Sequence, residues 1–223
     1  METSLTIDEL IEYTSRQLNH FFPDRNPVNL VHSKENIKLA LDRLEHCYKK
    51  VSLKHYFNNS QAKFNHLYSD HYVMYLWYLS NTIWKETADK NICDKLYYLN
   101  KTLHALDCMY DTNLPDIFLI FHGAGTMLGK ASYNDYFVVL QGCTVGMNRG
   151  HYPIMQKGVS LTAHSSLIGN CNVGNLVTIA SNTSIIDKNI NDNTVVFKNE
   201  DGRTEYKETA NSYAQSFFNI PIV

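Results

Sequence analysis

The sequence predicts an α+β protein in which an N-terminal helical domain is followed by a parallel β-helix of hexapeptide repeats. Residues 161–186 repeat every six positions, which fits neither the period of about 3.6 residues of a helix nor that of about two of a flat strand. A period of six fits one side of a three-sided coil. Residues 1–105 instead carry apolar stripes at helical spacing. Each hexad opens with an aliphatic residue that should point inward, namely Leu161, Leu167, Val173, Ile179 and Ile185.

The helical domain, residues 1–105, is expected to contain about four helices. Thr6 and Glu9 have the spacing of a capping box at the start of the first helix, and Ser33 is placed to cap the second. Apolar density rises sharply over 70–84, which predicts a helix buried on most sides. A further helix is expected over 87–104.

The β-helix is predicted to span residues 106–198. Its register stops after Val145, and residues 147–158 contain two glycines and a proline among mixed polar and apolar residues. We interpret 147–158 as a loop extruded from the coil, and such loops often carry the binding chemistry of a solenoid. Residues 199–223 are expected to form a C-terminal tail.

The composition excludes several classes of function. A formal net charge of -2 provides no basic surface for nucleic acid. The five cysteines include no CxxC spacing, so reduced thiols are expected rather than disulfides, and no metal site is predicted. The N-terminus does not have the pattern of a signal peptide, and the most apolar window, 72–79, is far shorter than the roughly 20 residues of a membrane span. We therefore expect a cytoplasmic protein without a transmembrane segment.

Three of the ten histidines lie in the coil region and are candidates for chemistry. His122 lies in the segment FHGAG, whose glycines permit close approach of a ligand to the backbone. His151 lies in the predicted loop, where a side chain can face a cleft. His164 lies within a hexad, where a surface position is the simpler interpretation. The other seven lie in the helical region without partners at informative spacing.

The segment from Ala105 to Val196 resembles the serine acetyltransferases of the left-handed β-helix acyltransferase superfamily. The resemblance implies a left-handed coil and an enzyme that uses acetyl-CoA as co-substrate, with no permanently bound cofactor. It also implies a homotrimer, or a higher homo-oligomer, with active sites between subunits. The matching stretches are ALD (105–107), FHGAGTMLG (121–129), LQGCTVG (140–146) and LIGNCNVGNLVTIASNTSII (167–186).

The resemblance implies that His122 is the catalytic base. A neutral imidazole can accept the proton of an alcohol as the alcohol attacks a thioester carbonyl. In the family a carboxylate fifteen residues upstream orients the histidine, and that count leads to Asp107, with Asp111 and Asp116 as alternatives. The carboxylate fixes the tautomer of the ring and steadies the imidazolium that forms.

The acceptor half departs from the family pattern. The aspartate that precedes the catalytic histidine in the family, where it helps to hold the amino group of serine, is replaced by Phe121. The family's aspartate-arginine pair before the second histidine is replaced by Asn148 and a displaced Arg149. That second histidine lies beside a proline, so His151 or Tyr152 is expected in its place. Aromatic rings such as Phe121 and Tyr152 suit stacking on a sugar face better than pairing with an ammonium group.

Three hypotheses follow for the function. The first is O-acetyl transfer to a sugar hydroxyl during assembly of a surface polysaccharide such as capsule or lipopolysaccharide, with Phe121, Arg149 and Tyr152 at the acceptor. The second is a serine O-acetyltransferase of cysteine biosynthesis in which Arg149 binds the serine carboxylate. The third is a non-catalytic scaffold, and the retention of Asp107 and His122 argues against it.

Acetyl-CoA is expected to bind along the later coils, between two subunits. Backbone N–H groups near 123–125 or Gly146 are candidates for stabilising the oxyanion. Lys198 or Arg203 could meet the phosphates of CoA. Small residues that leave room for the pantetheine arm are Ala163, Gly169, Ala180 and Ser181.

Overall fold

We describe the protein from a computed structural model, which covers residues 1–222 of the chain. Within this range the structure contains four α-helices, as predicted, and two short 3-10 helices. The 3-10 helices span Leu30–Ser33 and Ala214–Phe217. The α-helices are α1 (Ile7–Phe21), α2 (Lys34–Tyr48), α3 (Ser69–Thr87) and α4 (Lys90–His104).

The predicted helix caps are confirmed in one case and wrong in the other. Thr6 Oγ1 accepts a hydrogen bond from the N–H of Glu9, and the Glu9 carboxylate accepts one from the N–H of Thr6, which is the predicted capping box. Ser33 makes no side-chain cap hydrogen bond. The reason is its backbone conformation at the end of the 3-10 turn, because Ser33 has φ -103° and ψ 17° rather than the extended geometry of an N-cap residue.

Helix α3 lies at the centre of the helical domain, between α2 and α4. All of its residues from Asp70 to Ile83 are buried, which confirms the prediction for this segment. The rings of Trp77 and Tyr78 contact the ring of Phe118, at centroid distances of 5.1 and 5.3 Å. Phe118 belongs to the first coil of the β-helix, so the helical domain and the coil share one hydrophobic core.

The β-region is a left-handed parallel β-helix of about five turns with three faces. Two further strands, β1 (Glu2–Thr3) and β2 (Lys63–Phe64), pair with each other in the helical domain. Face A contains β4 (Phe118–Ile120), β6 (Phe137–Val139), β9 (Ser160–Leu161), β12 (Thr178–Ile179) and β14 (Thr194–Lys198). Face B contains β3 (Asp107–Cys108), β5 (Met127–Leu128), β7 (Thr144–Gly146), β10 (Ser166–Ile168) and β13 (Ser184–Ile186). Face C contains β8 (Ile154–Met155) and β11 (Asn172–Val173).

Aliphatic residues stack inside the coil in columns that run parallel to its axis. The residue that opens each predicted hexad is at most 2% exposed, as expected from the repeat. Burying such a side chain contributes about 1.5–3 kcal/mol, so each coil is held mainly by its neighbours. The column of face A consists of Ile120, Val139, Leu161, Ile179 and Val196, which are in register.

The corners of the coil require residues in the left-handed region of backbone conformation. Glycine and asparagine adopt this region readily, whereas other residues need support from packing. The residues at the regular corners that have positive φ are Gly125, Tyr136, Gly142, Gly158, His164, Gly169, Leu176, Asn182, Asp187 and Asn193.

The excursion from the coil is shorter than the predicted loop at 147–158. Asn148 and His151 pair as a tight hairpin, with positive φ at Arg149 (48°) and Gly150 (83°). The chain then returns to the coil as β8, which pairs with β11. Positive φ at both central residues is the geometry of a two-residue hairpin turn. The chain therefore leaves the coil only for this short turn rather than for the whole of 147–158.

The C-terminal tail contacts the rest of the molecule through β-pairing near its start and through four buried residues further on, namely Ala214, Phe217, Phe218 and Ile222. It begins with β15 (Thr204–Glu208), antiparallel to β14, and its 3-10 helix leads to the buried Phe218. Phe218 pairs with Val51 of the helical domain. The tail therefore returns from the last coil to the junction between the coil and the helical domain.

Candidate active site

His122 lies at the first corner between faces A and B. This corner contains more residues than the A–B corner of the next turn. Met127 follows Ile120 by seven positions, whereas Thr144 follows its equivalent residue, Val139, by five. The two extra residues form a bulge, and His122 has a φ of 52°. Its side chain is 61% exposed as a result, rather than stacked within the coil.

Gly123 is required by packing inside this bulge. A Cβ atom at this position would lie 2.1 Å from Cγ2 of Ile120, which is fully buried. The glycines of FHGAG were expected to let a ligand approach the backbone. At Gly123, the group that lies close to the backbone is instead the buried side chain of Ile120.

The carboxylate that faces His122 comes from helix α3. Nδ1 of His122 lies 3.0 Å from Oδ2 of Asp70, whose side chain is only 6% exposed. The ring does not aim Nδ1–H along a hydrogen bond to this oxygen, and Oδ2 accepts no hydrogen bond from any other side chain or backbone group in residues 1–222. Such pairs are often poorly aligned without substrate and become aligned when it binds. The mostly exposed imidazole is the group that can satisfy this buried oxygen.

Asp107, the residue predicted to orient His122, forms its side-chain hydrogen bonds with other residues in this structure. The carboxylate of Asp107 accepts hydrogen bonds of 2.7 Å from Tyr97 and of 2.7 Å from Lys101, both on α4. Burial raises the pKa of Asp107, but these hydrogen bonds outweigh it, so the pKa lies below the usual value. The fifteen-residue count ends on β3, and the carboxylate at His122 comes from another part of the sequence.

The alternative carboxylate of Asp111 is also engaged elsewhere, in an ion pair of 2.8 Å with Lys130. For Asp116, the structure shows a hydrogen bond from the Tyr78 hydroxyl to the backbone carbonyl rather than to the carboxylate. The carboxylate that lies against His122 in this structure is that of Asp70.

A cleft of about 410 Å³ opens beside the His122–Asp70 pair. Burial lowers the pKa of His104, which lines it, to about 4, so this imidazole is neutral near pH 7. No lysine or arginine lines the cleft. It is bordered by the start of α3, the end of α4 and the bulge, with the lining residues Ser69, Asp70, Val73, Thr102, Leu103, His104, Ala105, His122, Gly123 and Ala124.

Phe121 packs between the candidate base and the C-terminal tail. The centroid of its ring lies 4.0 Å from that of His122 and 5.3 Å from that of Phe217. Its contact with Phe217 leaves it only partly exposed. Phe121 therefore contacts the candidate base and is itself packed against the tail.

The residues predicted for the acceptor do not all meet in one chain. Arg149, His151 and Tyr152 lie in the hairpin at the corner between faces B and C, whereas His122 lies at the corner between A and B. Near this hairpin a separate depression of about 270 Å³ is lined by Tyr152, Gly146 and Asp107 among others. Within one chain, the structure thus divides the predicted site between the two edges of face B.

The residues predicted for acetyl-CoA are divided in the same way. Ala163, Ala180 and Ser181 lie on later turns of the corner that carries His122, as does His164, whose ring covers Gly142. Gly146 ends β7 and Gly169 lies at the next corner. Lys198 donates a hydrogen bond of 2.8 Å to Thr204 in the hairpin of the tail. Only the first group lies in line with the candidate base.

The described residues contain neither a cluster suited to a metal ion nor a helix suited to a membrane span. Among residues 1–222, no group of three or more histidine, cysteine, aspartate or glutamate side chains is arranged to hold a metal ion. No helix in that range is long and apolar enough to cross a membrane.

Comparisons with known proteins give similarity of fold. No protein-family model matches the sequence, and no curated protein sequence matches it. The serine acetyltransferase of Brucella abortus strain S19 is 18% identical, with a TM-score of 0.71 over 93% of this chain and 85% of that chain. The Neisseria gonorrhoeae serine acetyltransferase in complex with serine is 17% identical, with a TM-score of 0.63 over 86% and 82%.

A third solved structure extends the similarity to a eukaryotic enzyme. Isoform 3 of the Entamoeba histolytica serine acetyltransferase, in complex with cysteine, is 19% identical, with a TM-score of 0.55 over 86% of this chain and 71% of that chain. Because these identities are low, the comparisons establish architecture rather than substrate. The chain has the fold of the serine acetyltransferases, a helical N-terminal region followed by a left-handed β-helix.

Proposed function

We propose that the protein is an acetyl-CoA-dependent O-acetyltransferase in which His122 is the general base. The observation that carries this proposal is the 3.0 Å approach of Nδ1 of His122 to the buried carboxylate of Asp70. The side chain of His122 is 61% exposed. A histidine that serves only the packing of the core would be buried and satisfied on both nitrogens, whereas this one faces a cleft.

The proposed chemistry is direct transfer without an acyl-enzyme. Nε2 of His122 accepts the proton of the acceptor hydroxyl while the hydroxyl oxygen attacks the thioester carbonyl. The tetrahedral intermediate collapses as the C–S bond breaks, and the imidazolium returns the proton to the CoA sulfur. Asp70 steadies the imidazolium between these steps, in the way that a buried aspartate supports the histidine of a serine hydrolase.

We propose a sugar hydroxyl as the acceptor, in a surface polysaccharide. An amino acid brings a carboxylate, yet no lysine or arginine lines the His122 cleft. The cleft contains one carboxylate, that of Asp70, which already faces His122. Leaving both charges of serine without partners would cost several charged hydrogen bonds of about 1.5–3 kcal/mol each.

Serine is the alternative acceptor, and the fold similarity favours it. The solved neighbours are serine acetyltransferases, one of which was crystallised with serine. Under this alternative Arg149 of a second subunit would reach the His122 cleft and bind the carboxylate of serine. The third hypothesis, a non-catalytic scaffold, does not explain why the buried carboxylate of Asp70 lies against an exposed histidine.

We further propose that three chains assemble with active sites between them, in a cytoplasmic setting. Five large apolar side chains that are between 38% and 54% exposed lie on face B, on face C, and in or beside the hairpin between them, and we name this set the BC strip. Exposed apolar side chains of this kind favour association. Association through the strip would bring the hairpin of one chain toward the His122 corner of another. The BC strip consists of Met127, Met147, Tyr152, Ile154 and Ile186.

An acceptor panel tests the proposed function. Purified protein with acetyl-CoA is offered L-serine, methyl glycosides and polysaccharide fragments, and CoA thiol release is measured together with the mass of the product. The proposal expects an acetyl ester on a saccharide and little transfer to serine. Efficient transfer to serine without transfer to any saccharide would support the alternative instead.

A further inference from the structure

A second cleft lies on the same turn of the chain that carries Asp70. It has a volume of about 360 Å³ and is lined by Tyr68 and His71, whereas Ser69 and Asp70, between them in sequence, line the His122 cleft. A helix rises about 1.5 Å per residue, so these four residues, the N-cap Tyr68 and the first three residues of α3, lie within about one helical turn. The start of α3 therefore contributes side chains to both clefts.

His55 connects the second cleft electrostatically with the candidate base. It lines this cleft, and its Nε2 lies 3.2 Å from the hydroxyl of Tyr68. Burial lowers the pKa of His55, the charge of Asp70 opposes this effect, and a positive charge on His122 adds to it. The charges of Asp70 and His122 therefore both act on His55, which lines the second cleft.

The lining of the second cleft has the chemistry of a carbohydrate site. Ring faces at Tyr68 and His55 lie beside short polar side chains that both donate and accept hydrogen bonds. One carboxylate, Glu2, and one ammonium group, Lys63, line it, so their charges cancel and do not favour an ionic ligand. The polar lining residues are Glu2, Thr3, Ser4, Lys63 and Asn65.

His71 also lines this cleft, and one of its ring nitrogens is unsatisfied within the described residues. Its Nδ1 accepts a hydrogen bond from the N–H of Asn65, so the proton of the neutral ring is on Nε2. That Nε2 is buried and has no partner in residues 1–222, although buried polar groups normally have one.

We propose that the second cleft is an acceptor subsite that binds the sugar residues adjoining the one acetylated at His122. The acceptor is then an oligosaccharide or a polymer rather than a single sugar. This inference rests on the proposed function, because it takes the His122 cleft as the reacting site. Serine is too short to occupy both clefts, so the subsite would also distinguish the two acceptor classes.

The test compares long and short acceptors with the full-length protein. The probes are neutral tetrasaccharides of gluco, galacto, manno and N-acetylglucosamine configuration and their methyl monoglycosides, with acetyl-CoA as donor. For the wild type, the KM for the preferred tetrasaccharide should be at least about tenfold below the KM for its monoglycoside. Two or three additional hydrogen bonds to the longer acceptor would lower the binding free energy enough to give this ratio. Equal KM values for the two lengths would overturn the proposal.

Two variants test whether the preference for the tetrasaccharide over the monoglycoside arises in the second cleft. His55→Ala and Tyr68→Ala should each bring the ratio of the two KM values close to one, and Tyr68→Phe should have a smaller effect because it keeps the ring. His46→Ala is the matched control, since His46 is an exposed histidine on α2 that lines neither cleft. Thermal unfolding of each variant shows that it is folded. An unchanged ratio in both alanine variants contradicts the assignment.

A binding measurement separates failure of the subsite from failure of the proposed function. Saturation-transfer NMR of the same tetrasaccharides is recorded on His122→Ala, which has no base. Binding that is lost on adding His55→Ala supports the subsite, even if the wild type transfers acetyl to nothing offered. If the wild type acetylates saccharides but no tetrasaccharide signal depends on His55, the subsite is wrong while the proposed function stands.

Discussion

The imidazole of His122 and the carboxylate of Asp70 approach to 3.0 Å across the junction of the two parts of the molecule. His122 is on the first corner of the coil, and Asp70 is on the first turn of α3, the most buried helix. The packing of Trp77 and Tyr78 against Phe118 holds this junction together. The helical domain therefore supplies half of the candidate catalytic pair as well as part of the core.

Replacing Asp70, which lies against the candidate base, should lower kcat much more than replacing Asp107, the aspartate predicted from the sequence. Asp70→Asn should lower kcat by about 10²–10⁴, because the amide keeps the shape but cannot steady an imidazolium. Asp107→Asn is the matched control and should change kcat by less than about tenfold, since that side chain contacts Tyr97 and Lys101. The opposite order in steady-state kinetics would mean that Asp107 orients the base.

The bulge that presents His122 should depend on the small size of residue 123. Gly123→Ala should cost about 1–3 kcal/mol in the free energy of unfolding, because the new methyl group meets Ile120 at 2.1 Å. The added Ile120→Ala substitution removes the atom that clashes, so Gly123→Ala should cost less in that background. Urea unfolding of the four proteins of this cycle measures the coupling. Additive costs would show that the two residues do not compete for space.

Stability should fall in mild acid because His71 is held neutral. Burial lowers the pKa of His71 to about 3, whereas the unfolded side chain titrates near about 6.5. Below about pH 6.5 the unfolded state therefore binds a proton that the folded state does not, and stability decreases as the pH falls toward the folded pKa. His71→Gln should reduce the slope of unfolding free energy between pH 6 and pH 4 by up to about 1.4 kcal/mol per pH unit.

The control for this titration is His46→Gln, at an exposed position on α2. It should leave the slope close to that of the wild type. A wild-type slope that persists in His71→Gln would assign the acid sensitivity to other groups.

The BC strip should mediate assembly. Ile154→Glu and Ile186→Glu each place a charge on a side chain that is 46% and 53% exposed, respectively. Burying an unpaired charge in an interface is costly, so both variants should dissociate to monomers while the wild type is a trimer by light scattering. Tyr206→Glu, on β15 and 46% exposed, is the control and should remain trimeric. A monomeric wild type would contradict the role of the strip.

The coil was predictable because its signal is local and repeated. An aliphatic residue every six positions reports its own burial, and Leu161 to Ile185 stack as that period requires. The helical domain was predictable for a similar reason, since the apolar density of 70–84 indicated a buried helix. Ser33 failed as a cap because the residues before it form a 3-10 turn, which propensity does not distinguish from a loop.

The candidate site was only half predictable. His122 was identified from the pattern of residues around it, but the partner of its ring is 52 positions upstream in another domain. A fixed spacing cannot account for the two extra residues of the bulge or for the orientation of α3. The available signal was Asp70 itself, a carboxylate at the start of the most apolar segment, where an ionised group needs a partner.

The account depends most on His122 as the base for acetyl transfer. The most direct test is to measure the acetylated product by mass spectrometry after incubation of acetyl-CoA and the preferred acceptor with wild type and His122→Ala. The account predicts product with the wild type and a decrease of about 10²–10⁴ in its rate of formation with the folded variant. Equal rates for the two proteins would contradict it, because the transfer would then need no base at His122.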